Sequence, residues 1–164
     1  MNGPAPNSNV DVRPLRDDDT LALHAVCWPA LGEAQVYERV ARALALARRG
    51  RAWPVVGLYE GLVVGFGLLA RWREAAEITD LVVGEQWQSH GVGTAIINRL
   101  VALAAEHGFG RVEIGVAESN ARALTLYRRL GFNRHESRIL LDLGNGPEPV
   151  IYLSLALPSR IDSG

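Results

Sequence analysis

The segment from Asp80 to Asn98 constrains the fold more than any other part of this sequence. Its apolar run Leu81-Val82-Val83 predicts the end of a strand, and after Gly91 and Gly93 a helical pattern extends from Ala95 to His107. A strand that leads through a glycine-containing turn into a helix is a phosphate-binding arrangement, because backbone N–H groups and the helix dipole converge on an anion. A Cβ at either glycine would hold a phosphate oxygen away from the backbone. An ordinary strand-to-helix turn is the alternative.

The length and composition are those of one globular domain. The chain has 164 residues with 48% hydrophobic content, which suffices for a single core. Residues 1–9 lack the cationic region and apolar core of a secretory signal. We therefore expect a disordered lead-in over 1–9, a domain over 10–157 and a tail over 158–164. No apolar run is long enough to cross a bilayer, and a cytoplasmic protein without a membrane partner is the default expectation.

Charge and cysteine content exclude several classes of function. The net charge of -1 gives no electrostatic argument for a nucleic-acid partner. Cys27 is the only cysteine, which excludes an internal disulfide and a cysteine-built zinc site, and we predict no metal site. All 17 basic residues are arginine, so any cationic group that binds an anion must be Arg or His.

The apolar periodicity predicts a mixed α/β (α+β) fold. Three strands in a meander precede the glycine turn, and only the strands on either side of the next helix suggest a parallel crossover. We therefore expect one domain with a central, mixed, mostly antiparallel sheet and helices on both faces. The predicted helices are Asp17–Trp28, Glu33–Arg49, Ala95–His107 and Asn120–Leu130, and the predicted strands are Val10–Arg13, Trp53–Tyr59, Leu62–Trp72, Glu77–Val83, Arg111–Val116, Glu136–Leu143 and Val150–Leu157.

A second motif extends from Asn120 to Phe132. At about 3.6 residues per turn, Asn120, Ala123 and Tyr127 project within roughly 60° of one another on a helix. A ligand lying along that face would meet an amide, a small residue and a phenol. In the alternative interpretation, Asn120 caps the helix, Ala123 packs against a neighbour, and Tyr127 is a core ring with a satisfied hydroxyl.

Together the two motifs resemble the GNAT superfamily of acyl-CoA-dependent N-acetyltransferases. Gln88-Ser89-His90-Gly91-Val92-Gly93 is similar to the family's (Gln/Arg)-x-x-Gly-x-(Gly/Ala) pyrophosphate loop, and Asn120 to Phe132 is similar to its Asn-x-x-Ala-x-x-Leu-Tyr-x-x-x-Gly-Phe segment. The order of elements extends the resemblance over about residues 10–157. The family's loop often carries Arg or Lys where this chain has Ser89 and His90. We therefore expect a lower or mildly pH-dependent affinity for CoA, unless Arg122, Arg128 or another arginine supplies positive charge.

The resemblance implies acetyl-CoA as the donor. Backbone N–H groups from Ser89 to Thr94 would hold the pyrophosphate, and the backbone of Leu81 to Val83 would pair with the pantetheine arm as though it were another strand. That pairing requires the sheet to be splayed at its middle, between this strand and Arg111–Val116, with edge hydrogen bonds left unmade. The N–H of Leu81 or Val82 would also stabilise the oxyanion of the tetrahedral intermediate. The implied cofactor-binding residues are Leu81, Val82, Val83, Gln88, Ser89, His90, Gly91, Val92, Gly93, Thr94, Asn120, Ala123 and Tyr127.

The resemblance also implies which residues carry catalysis. A free alkyl amine titrates near ~10.4, so a base or a water relay must take its proton at neutral pH. Glu77 matches the position of the family's base, with Asp80 as the competitor, although both are ordinary solvated carboxylates in the alternative interpretation. Their odd spacing puts them on opposite faces of a regular strand, unless a bulge at Asp80 changes the parity. Tyr127 fits the family's general acid, with its hydroxyl at the sulfur.

The leading hypothesis is therefore an N-acetyltransferase that acts on a primary amine of a small molecule. Close variants would acetylate a protein N-terminus or an aminoglycoside. A different class is an acyl-CoA-binding regulatory module that is catalytically silent. A P-loop nucleotide site is disfavoured because its lysine has no counterpart in this chain. A homodimer is an expectation by analogy alone.

Overall fold

The computed structural model describes residues 9–142 and 146–158, and for residues 134–138 it describes the backbone alone. Residues 1–8 and 159–164, which make up most of the predicted lead-in and tail, lie outside the described residues. The same holds for residues 143–145 in the last predicted turn. Those assignments stay predictions.

Seven strands form one sheet in the order β1-β2-β3-β4-β5-β7-β6, and four α-helices accompany them in the described part of the chain. Short 3-10 helices lie at Asp17–Asp19 and Glu85–Trp87. None of the described helices is both long and apolar enough to cross a membrane. The strands are β1 Val10–Pro14, β2 Ala52–Tyr59, β3 Leu62–Trp72, β4 Ala75–Val83, β5 Arg111–Ala117, β6 Asn133–Asp142 and β7 Pro147–Ala156, and the helices are α1 Thr20–Val26, α2 Glu33–Arg48, α3 Val92–Glu106 and α4 Ala121–Arg129.

The sheet parts at its middle. Among the described strands, β4 and β5 pair in parallel, and the other five pairs are antiparallel. The parallel register covers three residue pairs, from Ala76 opposite Val112 to Ile78 opposite Ile114. Beyond Ile78, β4 continues to Val83 without β5 beside it. The splayed, mostly antiparallel sheet predicted from the sequence is confirmed.

Both faces of the sheet are covered by helices, as predicted. Leu23 of α1 and Val36 and Val40 of α2 pack with Phe66 in one buried cluster. Helices α3 and α4 lie on the other face, where the fully buried Ile96 belongs to the larger cluster. These two apolar layers fix the helices relative to β4 and therefore fix the cleft beside it.

Strand β4 carries a bulge at Asp80. Phe66 of β3 pairs with Val82 and Leu68 pairs with Thr79, so one β3 residue lies opposite two residues of β4. Asp80 has a φ of 55°, in the left-handed region that few non-glycine residues adopt. A bulge reverses the alternation of side chains along the strand. Residues on either side of Asp80 therefore face the sheet differently from a regular strand.

The helix boundaries differ slightly from those predicted. Helix α1 ends at Val26 rather than Trp28, since a residue that precedes a proline avoids the helical conformation. Helix α3 begins at Val92 rather than Ala95. Its N-cap is Gly91, whose carbonyl accepts a hydrogen bond from the Ala95 amide at 3.0 Å.

Strands β4, β6 and β7 each begin two or three residues earlier than predicted. For β4 and β7 the cause is the tightness of the preceding hairpin. Trp72 already pairs with Ala75 at the start of β4, and Asp142 pairs with Pro147 at the start of β7. A proline is tolerated at the first residue of a strand.

Asp19 is a buried acid that ties β1 to the first helical turn. Arg13 donates to both carboxylate oxygens, at 2.9 and 2.7 Å, and the amide of Arg16 donates at 2.8 Å. Burial alone would raise the pKa of Asp19, but these hydrogen bonds and the charges of the two arginines outweigh it and lower the pKa.

We expect Asp19→Ala to reduce the free energy of unfolding by about 3 kcal/mol at pH 7, the low end for removal of one partner of a buried ion pair. The low end applies because Arg13 is partly exposed. Because the folded-state pKa is depressed, this stabilisation is present above the unfolded pKa of about 3.9 and is lost as pH falls through the folded value. Urea unfolding at pH 7 and pH 3 checks it: the difference between wild type and variant should shrink at pH 3. An equal difference at both pH values would contradict it.

Candidate active site

A long cleft opens where β4 leaves β5. It has a volume of about 910 Å³, within the range of small-molecule and cofactor sites. One wall is the free end of β4, one is the loop that leads into α3, and one is α4. The cleft is lined by Leu81, Val82, Val83, Gln88, Ser89, Gly91, Gly93, Thr94, Asn120, Ala121, Arg122, Ala123, Thr125, Leu126 and Arg129.

The loop before α3 presents backbone amides to this cleft. Gly91 has a φ of 86° and caps the helix, a conformation that glycine adopts without strain. The first N–H groups of α3, from Gly91 to Thr94, have no acceptor within the helix. At Gly93, a Cβ would meet only Val83 within the described residues, at 3.7 Å. Packing among the described residues therefore does not require a glycine at this position.

Arginines flank the loop where the motif lacks a basic residue. The guanidinium of Arg122 donates to the hydroxyl of Ser89 across the cleft, and Arg129 lines the same wall. The sequence suggested Arg122 as a source of charge, but it did not single out Arg129. The signal was present, because positions 122, 126 and 129 repeat at helical spacing and so share a face. Positive charge at this end of the cleft suits a phosphorylated ligand.

Three predicted cofactor residues lie apart from the cleft lining. Val92 is 1% exposed and packs in the core beneath α3, so only its backbone faces outward. The Nδ1 atom of His90 lies 3.0 Å from the carbonyl of Gln88, and its ring contacts that of Tyr59 at a centroid distance of 5.2 Å. Tyr127 lines a neighbouring cavity. Asn120 caps α4 by accepting from the Ala123 amide at 3.1 Å, as in the capping interpretation, and both residues also line the cleft.

A second cavity adjoins the cleft and shares Leu81 with it. It has a volume of about 300 Å³, which suits a small acceptor or the end of a chain. Three predicted catalytic residues meet here. Its lining consists of Glu77, Ile78, Thr79, Asp80, Leu81, Ile114, Gly115, Ala117, Tyr127, Leu141, Val150 and Tyr152.

Glu77 and Tyr127 are both tuned by burial. Burial, followed by the negative charge of Glu113, raises the pKa of Glu77 above its usual value. A carboxylate so placed accepts a proton more readily than a solvated one. Tyr127 is 8% exposed, and burial raises the pKa of its phenol. The phenol therefore keeps its proton at neutral pH.

Asp80 reaches the same cavity because of the bulge. The regular strand would have put it on the face opposite Glu77, yet both line the cavity. The guanidinium of Arg39 from α2 lies 3.4 Å from a carboxylate oxygen of Asp80 and stacks over the ring of Trp28 at 5.0 Å. This ion pair holds the Asp80 carboxylate toward α2.

Sequence reasoning missed Tyr152, which lies beside the two catalytic candidates. A Cβ at Gly115 would come within 3.1 Å of the Tyr152 ring, so the ring lies against the glycine on β5. Burial and the charges of Glu77 and Glu113 raise the pKa of Tyr152. Glycine inside a strand marks a close approach, which was the available signal. The side chain that lies against Gly115 is set by the β5–β7 register. That register cannot be predicted from the sequence around the glycine.

Comparison with known proteins agrees with this geometry. Residues 17–132 match the model of the acetyltransferase (GNAT) family. An uncharacterised N-acetyltransferase of Methanocaldococcus jannaschii is 39% identical over 64 residues, which cover 39% of this chain and 28% of that protein. The glucosamine 6-phosphate N-acetyltransferase of Trypanosoma brucei brucei is 28% identical over 146 residues, covering 82% of this chain and 97% of that protein.

Solved structures show the same fold. An acetyltransferase from Salmonella typhimurium that modifies the N-terminal serine of ribosomal protein L7/L12 superposes with a TM-score of 0.81 at 19% identity, covering 93% of this chain and 98% of that one. A ribosomal L7/L12 alpha-N-protein acetyltransferase in complex with coenzyme A gives 0.80 at 18% identity, covering 92% and 95%. The fold class and the family predicted from the sequence are confirmed. The chain therefore belongs to the acetyltransferase (GNAT) family of acetyl-CoA-dependent N-acetyltransferases.

Proposed function

We propose that this enzyme transfers an acetyl group from acetyl-CoA to a primary amine by direct attack, with Glu77 as base and Tyr127 as acid. The observation that carries the proposal is the junction of two cavities at Leu81, with Tyr127 and Glu77 both in the smaller one. A thioester entering along the cleft would bring its sulfur and acetyl group to this junction, and an amine would enter from the other side.

The walls of the cleft are chemically complementary to different parts of the cofactor. The amides of residues 89–94 suit the diphosphate, and Arg122 adds positive charge. The unpaired end of β4, over Leu81 to Val83, suits the amide groups of the pantetheine arm, which would add to the strand edge. Asn120 and Ala123 form the facing wall.

The reaction needs two proton transfers. The neutral amine attacks the thioester carbonyl carbon, and the N–H of Leu81 or Val82 stabilises the oxyanion. Glu77 takes the proton of the amine, directly or through a water molecule. The carbon–sulfur bond then breaks, and Tyr127 donates its proton to the departing thiolate. Asp80 is the competing base, but its carboxylate is already engaged by the guanidinium of Arg39.

The acceptor is a small-molecule amine or a protein N-terminus. The cavity beside Glu77 is small and open, and it fits either an amine of a small metabolite or the first residue of an extended chain. The similar proteins include an acetyltransferase of a small amine, glucosamine 6-phosphate, and one that modifies a protein N-terminus. The cytoplasmic location and the homodimer remain predictions.

Thermal shift with acetyl-CoA, CoA and ATP in parallel tests the cofactor. A ligand at 100 times its Kd adds about 2.7 kcal/mol to the stability of the folded state, so both CoA species should raise Tm, and ATP should raise it less. Gly93→Ala is the matched control, because a Cβ there would meet only Val83 among the described residues, at 3.7 Å. The same Cβ would hold a phosphate oxygen away from the backbone, so the variant should reduce the shift strongly without lowering the ligand-free Tm by a similar amount. Stabilisation by ATP alone would overturn the proposal.

Turnover of acetyl-CoA, measured with a panel of amines, then distinguishes an enzyme from a regulatory module that binds acyl-CoA without catalysis. Release of free thiol that depends on the amine supports the proposed reaction. Binding of acetyl-CoA without turnover on small amines and on N-terminal peptides would favour the acyl-CoA-binding regulatory module.

A further inference from the structure

Glu77 has a second carboxylate directly beside it. In the parallel pairing of β4 and β5, Glu77 is the register partner of Glu113, so the two side chains lie on the same face of the sheet. Neighbouring strands lie about 4.8 Å apart. The side chain of Glu113 is 17% exposed, and Glu77 is half-buried. Two acids are thus held together one residue before the pairing of β4 with β5 ends at Ile78.

The charged and titratable groups around this pair come from five elements. On β4, Asp80 lies three residues along and pairs with Arg39 of α2. On β5, the Nε atom of Arg111 lies 3.0 Å from a carboxylate oxygen of Glu113. On β7 and α4, the phenols of Tyr152 and Tyr127 line the cavity that Glu77 lines. On β3, the register partner of Glu77 is the uncharged Ala70.

We propose that Glu113, with Arg111 as its counter-ion, is a positioning residue for acetyl transfer, because its negative charge makes Glu77 a better proton acceptor. The proposal rests on the proposed function, in which Glu77 is the base. In the described structure Glu113 does not line the second cavity, which holds Glu77 and Tyr127. It therefore acts on the reaction through Glu77.

The carboxylates of Glu77 and Glu113 repel each other in a site from which water is partly excluded. A like charge next to a carboxylate disfavours its ionised form, and the effect is stronger where water is partly excluded. Arg111 moderates the effect, since its positive charge offsets that of Glu113. A base whose pKa lies closer to the working pH is more effective in general-base catalysis. The raised pKa of Glu77, with Glu113 as its second cause after burial, agrees with this arrangement.

Two substitutions should shift the titration midpoint of Glu77 in opposite directions. Glu113→Gln removes the repelling charge and should lower the titration midpoint of Glu77 by about one pH unit. Arg111→Gln removes the moderating charge and should raise that midpoint by a smaller amount. Arg111 is half-exposed, so this variant should fold even where the other does not. A merely structural role for Glu113 predicts no such pair of opposite shifts.

The test is a ¹³C NMR titration of the glutamate side-chain carboxyl carbons in the ligand-free protein, with Glu77→Gln used to assign the Glu77 signal. A lower midpoint in Glu113→Gln and a higher one in Arg111→Gln support the proposal. Unchanged midpoints, or shifts of the same sign, overturn it. The acidic limb of kcat/KM against pH should move with the NMR midpoints. If the midpoints shift as expected but Glu77→Gln keeps full activity, Glu113 still tunes Glu77 and the assignment of Glu77 as base has failed.

Discussion

Replacing Glu77 with glutamine should lower kcat/KM for the amine by about 10²- to 10⁴-fold at neutral pH, the usual contribution of a general base. Glutamine keeps the size of the side chain but cannot accept the proton of the attacking amine. The loss should shrink as pH rises toward ~10.4, because the ammonium form of the acceptor then loses its proton to solvent without help. Steady-state rates at saturating acetyl-CoA between pH 6 and 10 measure both effects.

Asp80→Asn is the matched control for this substitution. Asp80 lines the same cavity as Glu77, but its carboxylate pairs with Arg39. We therefore expect a loss of less than about tenfold, well below that of a general base. If Asp80→Asn loses more activity than Glu77→Gln, and the loss diminishes at high pH, the base is Asp80.

Replacing Tyr127 with phenylalanine should lower kcat by about 10²-fold and leave the affinity for acetyl-CoA nearly unchanged. The leaving thiolate has a conjugate pKa near ~8.5, so it departs more easily when a proton is supplied. The variant keeps the buried ring, which lies 6.3 Å from that of Phe132, so the fold should persist. Pre-steady-state transfer rates and the Kd for acetyl-CoA separate the two parameters.

Tyr152→Phe is the matched control, because Tyr152 is the other phenol among the described residues that line this cavity. It should retain kcat within about fivefold, since the proposed reaction takes no proton from it. Equal losses in the two variants would show that the acid is not specifically Tyr127. A Tyr127→Phe enzyme with wild-type kcat and a weakened Kd would make this residue a cofactor contact only.

Much of the fold was predictable from the sequence, because the sequence patterns that indicate it are local. The glycine turn, the apolar run before it and the motif from Asn120 to Phe132 each lie within a short segment, and helical or strand periodicity identified the elements around them. Their order indicated a mixed, mostly antiparallel sheet, and the resemblance to the family implied that this sheet parts between β4 and β5. The cleft lining follows from those same segments, which is why most predicted cofactor residues lie in it.

The features that the sequence did not reveal depend on pairing between distant strands. The bulge that brings Asp80 to the side of Glu77 arises from the β3–β4 register. The proximity of Glu113 to Glu77 requires the β4–β5 register, and that of Tyr152 requires β7 to lie beside β5. A one-residue change in register moves a side chain to the other face of a sheet, so none of these contacts was predictable from local patterns.

The most direct test of the central claim is a crystal structure of the protein with coenzyme A. The account predicts that the diphosphate contacts the backbone amides of residues 89–94, that the pantetheine arm lies along Leu81 to Val83, and that the sulfur lies within about 3.5 Å of the Tyr127 hydroxyl. A diphosphate bound elsewhere, or a sulfur remote from the cavity that holds Glu77 and Tyr127, would contradict it.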